Sequence, residues 1–123
     1  HLSFYADVDA DGAPLTGSCD YVLQGTPPPA RFWTLYPVST NRQALPETGT
    51  ALPTSLYSGN TVYEPDGRFI IHISAMARPD NWLAVPRDTR YALTLALYDS
   101  PIASNKGLIE TQLPELRRVN CRG

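Results

Sequence analysis

No stretch of this sequence approaches the roughly 18–20 consecutive apolar residues that a bilayer-spanning helix requires. Positive charge is scarce. A single Lys accompanies nine Arg against twelve Asp and Glu, for a formal net charge of −2. That balance leaves no basic footprint for nucleic acid and no cationic stretch for an anionic lipid surface. Histidine occurs only at His1 and His72, which excludes a His-rich metal site and leaves little for acid–base chemistry. His72 has no Gly-x-Ser-x-Gly elbow to serve, and no motif for a cofactor is present, so none is expected. Helical periodicity is also missing. The best candidate, Met76 to Leu83, is interrupted by Pro79.

What the chain does have is β-type patterning in a length suited to one domain. Its 123 residues are 42% hydrophobic and 18% charged, a globular rather than a disordered composition. Twelve Pro and eight Gly fall between the apolar runs, as turns do in a β protein. Strands are expected over Leu2 to Val8, Tyr21 to Gln24, Arg31 to Tyr36, Thr54 to Tyr57, Thr61 to Tyr63, Phe69 to Ser74, Tyr91 to Tyr98 and Leu116 to Cys121. Asp11-Gly12 and Pro65-Asp66-Gly67 supply turn chemistry, while Pro27-Pro28-Pro29 stops a ladder. From Pro37 to Pro53 the pattern lapses, and residues 37–53 are read as a long surface loop. About eight short, mostly antiparallel strands with little helix predict an all-β domain over 1–123, a β-sandwich or jelly-roll-like fold.

The two cysteines sit beside apolar runs, Cys19 ahead of Asp20-Tyr21-Val22-Leu23 and Cys121 near the end. Neither has a second Cys or His at metal spacing. Two readings stand: a structural disulfide, which this placement favours, or two free thiols. A bridge closing 102 residues is worth about 4–5 kcal/mol by loop closure. The chain starts at His1 rather than Met and is read as a mature or truncated form, from which a signal peptide or anchoring helix could have been removed.

Several segments together resemble an uncharacterised bacterial family, domain of unknown function 1214. They are Asp11-Gly12 with Pro14-Leu15, Tyr21-Val22-Leu23, Pro28 to Leu35, Pro65-Asp66-Gly67, Asn81-Trp82-Leu83 with Pro86, and Leu95 to Asp99 with Pro101. One departure follows Leu35, where the family continues a strand and this chain is expected to break at Pro37. The resemblance implies a β-sandwich, found behind a membrane anchor or fused to another uncharacterised domain. It also implies an exported, periplasmic or envelope location, with cysteines near both ends as here. It brings no established reaction, so no catalytic residue is carried over.

Each candidate site has a plainer reading beside it. Asp7, Asp9 and Asp11, followed by Gly12, match the opening of a calcium loop, but the twelfth position is Ser18 and no helices flank it. An acidic turn fits better. Leu45-Pro46-Glu47-Thr48-Gly49 spells a sortase sorting signal without the apolar segment and basic tail that such a signal needs. Among the aromatics, Trp33 and Trp82, with Asn81 and His72, make a possible ligand surface, since exposed rings beside polar groups take sugars or peptides. In a small domain, however, most rings belong to the core. The leading expectation is a non-catalytic envelope module that binds a protein partner or a glycan, with no nucleic acid and no membrane contact beyond a lost anchor. The alternatives are a carbohydrate hydrolase whose carboxylates gather on folding, or a purely structural domain.

Overall fold

A computed structural model describes residues 1–45, 52–100 and 113–122. In chain order the strands are β1 (Leu2–Ala6), β2 (Cys19–Gly25), β3 (Phe32–Val38), β4 (Leu56–Tyr57), β5 (Phe69–Ser74), β6 (Trp82–Ala84), β7 (Ala92–Tyr98) and β8 (Glu115–Cys121). They form two four-stranded sheets, ordered β1-β7-β3-β4 and β6-β5-β2-β8. Every pairing is antiparallel except β5 with β6. A single 3-10 turn, Ser58–Asn60, is the one helical element among the described residues.

Period-two alternation explains why the sheets face each other. Leu93, Leu95 and Leu97 of β7 and Trp33 and Leu35 of β3 point inward from the first sheet. Tyr21 and Leu23 of β2 and Phe69, Ile71 and Ile73 of β5 meet them from the second, all in one continuous core. Ile71 and Ile73 are fully buried, each contributing about 1.5–3 kcal/mol of hydrophobic stabilisation. Trp33 contacts Phe69 across the gap at 5.6 Å between ring centroids. Tyr21 and Tyr91 pack edge to face at 6.4 Å, and burial pushes both phenols above their ordinary pKa. The loop before β2 is pressed close beneath the segment before β7: the Gly17 N–H donates to the Thr89 carbonyl at 2.9 Å. A Cβ on Gly17 would lie 1.7 Å from the Pro86 carbonyl oxygen, so only glycine fits there.

Two local expectations are corrected, at Pro37 and at Thr61 to Tyr63. Pro37 does not break the chain: β3 continues through it to Val38, paired with Leu93 and Ala92 of β7. The Trp33 N–H points away from β7, to Ser58 Oγ at 3.4 Å, so by pleat alternation the Pro37 nitrogen also faces that side. The two residues of β4 reach only Thr34 and Leu35, so no ladder donor is lost at Pro37. Thr61 to Tyr63 is not a strand, because the Asn81 side chain takes both backbone bonds of Val62. Met76 to Leu83 is not helical. It bends back to deliver β6, whose parallel pairing with β5 aligns His72 with Trp82. Residues 39–45 form the start of the expected loop, closed by the Ser39 N–H on the Gln43 carbonyl at 2.8 Å. Most of the Leu45 to Gly49 pentapeptide lies outside the described residues.

Candidate functional site

The acidic segment resolves into a turn. One Asp9 carboxylate oxygen accepts the Asp11 and Ala13 N–H groups at 2.8 and 3.1 Å, and the Asp9 carbonyl accepts Gly12 N–H at 3.0 Å. Asp9 is buried by this arrangement, and Asp7, Asp9 and Asp11 do not gather as a cation site. Among the described residues no group of three His, Cys, Asp or Glu side chains could hold a metal ion.

The possible ligand surface does not assemble as one surface. Trp33, 2% exposed, is in the core. An inward position on a central strand, opposite Leu97, puts it there. Asn81, 5% exposed, is a staple: its amide donates to the Val62 and Ile70 carbonyls at 2.8 and 3.0 Å and accepts the Val62 N–H at 2.8 Å. His72 and Trp82 do come together, half-buried side by side on the outer face of the second sheet. The Trp82 indole is tied down there by a 3.0 Å bond to the Ser74 carbonyl.

That outer face is organised around Asp20, which sequence reasoning passed over. Arg122 donates to one carboxylate oxygen at 2.5 Å and Arg78 to the other at 2.6 Å. The Ser74 hydroxyl and the Asn120 amide add bonds of 2.6 and 3.4 Å. Burial alone would raise this carboxyl's pKa, but the four donors outweigh it and hold Asp20 well below the usual carboxylate range. Next to it, Cys19 and Cys121 face each other across the β2–β8 ladder and form a disulfide. Asp20 and the disulfide together lock β8 onto β2. With every oxygen engaged, Asp20 is a clamp and cannot deliver a proton.

At the end of this sheet a shallow cleft of about 370 Å³ is lined by Gln24, Ile70 and the Glu64–Arg68 turn. It holds two carboxylates, Glu64 and Asp66. Asp66 is engaged in its own turn, accepting the Arg68 N–H at 3.0 Å.

The outer face of the first sheet is different in kind. Its central strand β7 turns the small residues Ala92, Thr94 and Ala96 outward. Register places Tyr5 and Tyr36 on either side of Thr94, Ser3 and Thr34 beside Ala96, and His1 and Phe32 beside Tyr98. The rings form a strip across the sheet: His1 stacks on Tyr98 at 5.1 Å, Tyr98 meets Phe32 at 5.5 Å, and Phe32 meets Tyr57 at 5.9 Å. Tyr5, Phe32, Tyr57 and Tyr98 are each about 40% exposed. Arg42 lies over the Tyr5 ring at 4.1 Å. Burial, with the Tyr5 and Tyr98 phenols nearby, raises the Tyr36 phenol above its ordinary pKa. Below the rings, the Thr34 and Thr94 hydroxyls are buried without a hydrogen-bond partner among the described residues. The signal for this strip was present in strand parity, because Phe32, Tyr98 and Tyr57 occupy positions opposite in phase to the core leucines.

With this geometry in view, residues 1–102 match the family described as Protein of unknown function (DUF1214). The chain belongs to this family. Among solved structures, the VPA0106 protein of Vibrio parahaemolyticus superposes with a TM-score of 0.76 at 25% identity, over 96% of this chain and 30% of its own length. An uncharacterised protein of Burkholderia cenocepacia superposes with a TM-score of 0.61 at 18% identity, over 99% of this chain and 30% of its own, and shares the fold. This chain therefore spans under a third of the length of either. No curated protein matches it. The departure expected after Leu35 does not occur, since β3 runs to Val38.

Proposed function

We propose that this DUF1214 domain is a non-catalytic binding module of the cell envelope whose contact surface is the aromatic outer face of the first sheet. The observation carrying this reading is the ring strip from His1 to Tyr57, solvent-accessible across all four strands. The envelope placement, periplasmic in a bacterium, is supported by the disulfide, because such bonds persist in oxidising compartments. No helix among the described residues is long and apolar enough to cross a membrane.

The carboxylate-hydrolase alternative is less well supported. Asp20 is held ionised between two arginines, and Asp66 is engaged in a turn. The test is a ligand screen with oligosaccharides and short peptides, read by backbone NMR on the disulfide-intact protein. Shifts should gather on β1, β3, β4 and β7 with the ligand recovered unchanged. Cleavage of an oligosaccharide during the titration would overturn the non-catalytic reading.

A further inference from the structure

Resting on that binding-module reading, we propose that the aromatic face takes a neutral glycan chain laid across the strands, from His1 over Tyr98 and Phe32 to Tyr57. The first argument is composition. The only branched aliphatic residue at an outward strand position of this sheet is Val38, buried at the far end of β3. The rest is rings, hydroxyls and alanine. A sugar suits this surface. Its C–H faces stack on the rings, and its hydroxyls exchange hydrogen bonds with the phenols and the His1 imidazole.

Charge narrows the choice. Arg42 is engaged with the Tyr5 ring, and Arg31 and Asp99 at the rim pair at 3.6 Å and offset each other. Among the described residues no unpaired cation points into the strip to clamp an acidic polymer or a phosphate, so a neutral ligand is the match. Shape narrows it further. Successive rings are inclined by 25°, 50° and 39° rather than lying coplanar. A non-coplanar strip suits a single soluble chain better than the flat face of a packed polysaccharide.

The experiment titrates the intact protein with water-soluble neutral oligosaccharides of β-linked glucose, N-acetylglucosamine and mannose. An acidic oligogalacturonate and an apolar peptide serve as comparison probes, with backbone NMR as the readout. One neutral sugar should shift Tyr5, Phe32, Tyr57 and Tyr98, with an affinity unchanged by added salt. Phe32→Ala and Tyr57→Ala should each weaken it about three- to tenfold, with the thermal transition and circular dichroism showing the fold intact. Tyr57→Phe, which keeps the ring, should recover most of the loss. If a sugar binds only at the Gln24–Ile70 cleft, or the peptide or acidic sugar alone shifts these rings, the glycan inference fails. In the peptide or acidic-sugar case the aromatic binding face survives. If no probe shifts these residues, both readings fail together.

Discussion

The second sheet presents an outer face centred on polar groups that bind one another. Asp20 is enclosed by Arg78, Arg122, Ser74 and Asn120, and the Trp82 indole is bonded to the Ser74 carbonyl. The first sheet presents a face of rings still open to solvent: Tyr5, Phe32, Tyr57 and Tyr98 are each about 40% exposed. Both faces are built from outward positions of strands with equally apolar inward positions. The contrast teaches where to look for function in a domain without a catalytic motif. Residues that satisfy one another hold the fold together, and residues that leave their contacts open are available to a ligand.

If the comparison is right, damage to the clamped face should cost stability first. Reducing the Cys19–Cys121 bridge, which closes 102 residues, should remove about 4–5 kcal/mol in urea unfolding. Asp20→Ala should cost about 3–4 kcal/mol, because it strands two arginines and a buried serine hydroxyl. The same carboxylate sets a pH dependence. Its folded pKa lies below the unfolded value of about 3.9, so its stabilisation is complete above that value and is lost as pH falls below it. Acid titration of the transition midpoint should show this loss in the native protein, and Asp20→Asn should flatten it. An unchanged acid limb in Asp20→Asn would show that the clamp is not what holds this face.

The all-β architecture was legible because core and surface alternate cleanly in Tyr91 to Tyr98 and Phe69 to Ser74. The disulfide was legible because both cysteines flank strands. Asp20 was not, since its partners Arg78 and Arg122 are 58 and 102 positions away and meet it only through the fold. Trp33 was misplaced because a ring's exposure depends on which phase of the strand faces the core, and Arg31 to Tyr36 carries bulky residues in both phases. Pro37 misled because its cost depends on what lies beside it, and two-residue β4 leaves that side open.

Asn81 sharpens the contrast, since it is a candidate ligand residue that the structure turns into a staple. Asn81→Ala would leave the Val62 N–H and the Val62 and Ile70 carbonyls without their partner, at about 2–3 kcal/mol. Amide exchange at Val62 should accelerate in the variant, because its N–H has no strand partner to fall back on. A loss below about 0.5 kcal/mol would mean that water replaces the amide and that this segment is no part of the clamped side.

The smallest stability effect is expected where the largest binding effect lies. Phe32 touches Tyr98 and Tyr57 but is 39% exposed, so Phe32→Ala forfeits only part of a buried ring's value, about 1 kcal/mol. Tyr57→Ala, at the edge of the sheet and 42% exposed, should cost no more. A double-mutant cycle between the two should return a coupling near 0.5–1 kcal/mol, the worth of one tilted ring pair. These values matter because the strip could instead be a structural lid over Thr94 and Ala96, which are fully buried beneath it. A lid would reveal itself by losses of about 3 kcal/mol or more for either ring and by a coupling spread to Tyr5 and Tyr36. Losses near 1 kcal/mol, with a stable fold and a ligand response weakened about three- to tenfold, separate a surface kept for a partner from one that closes the domain.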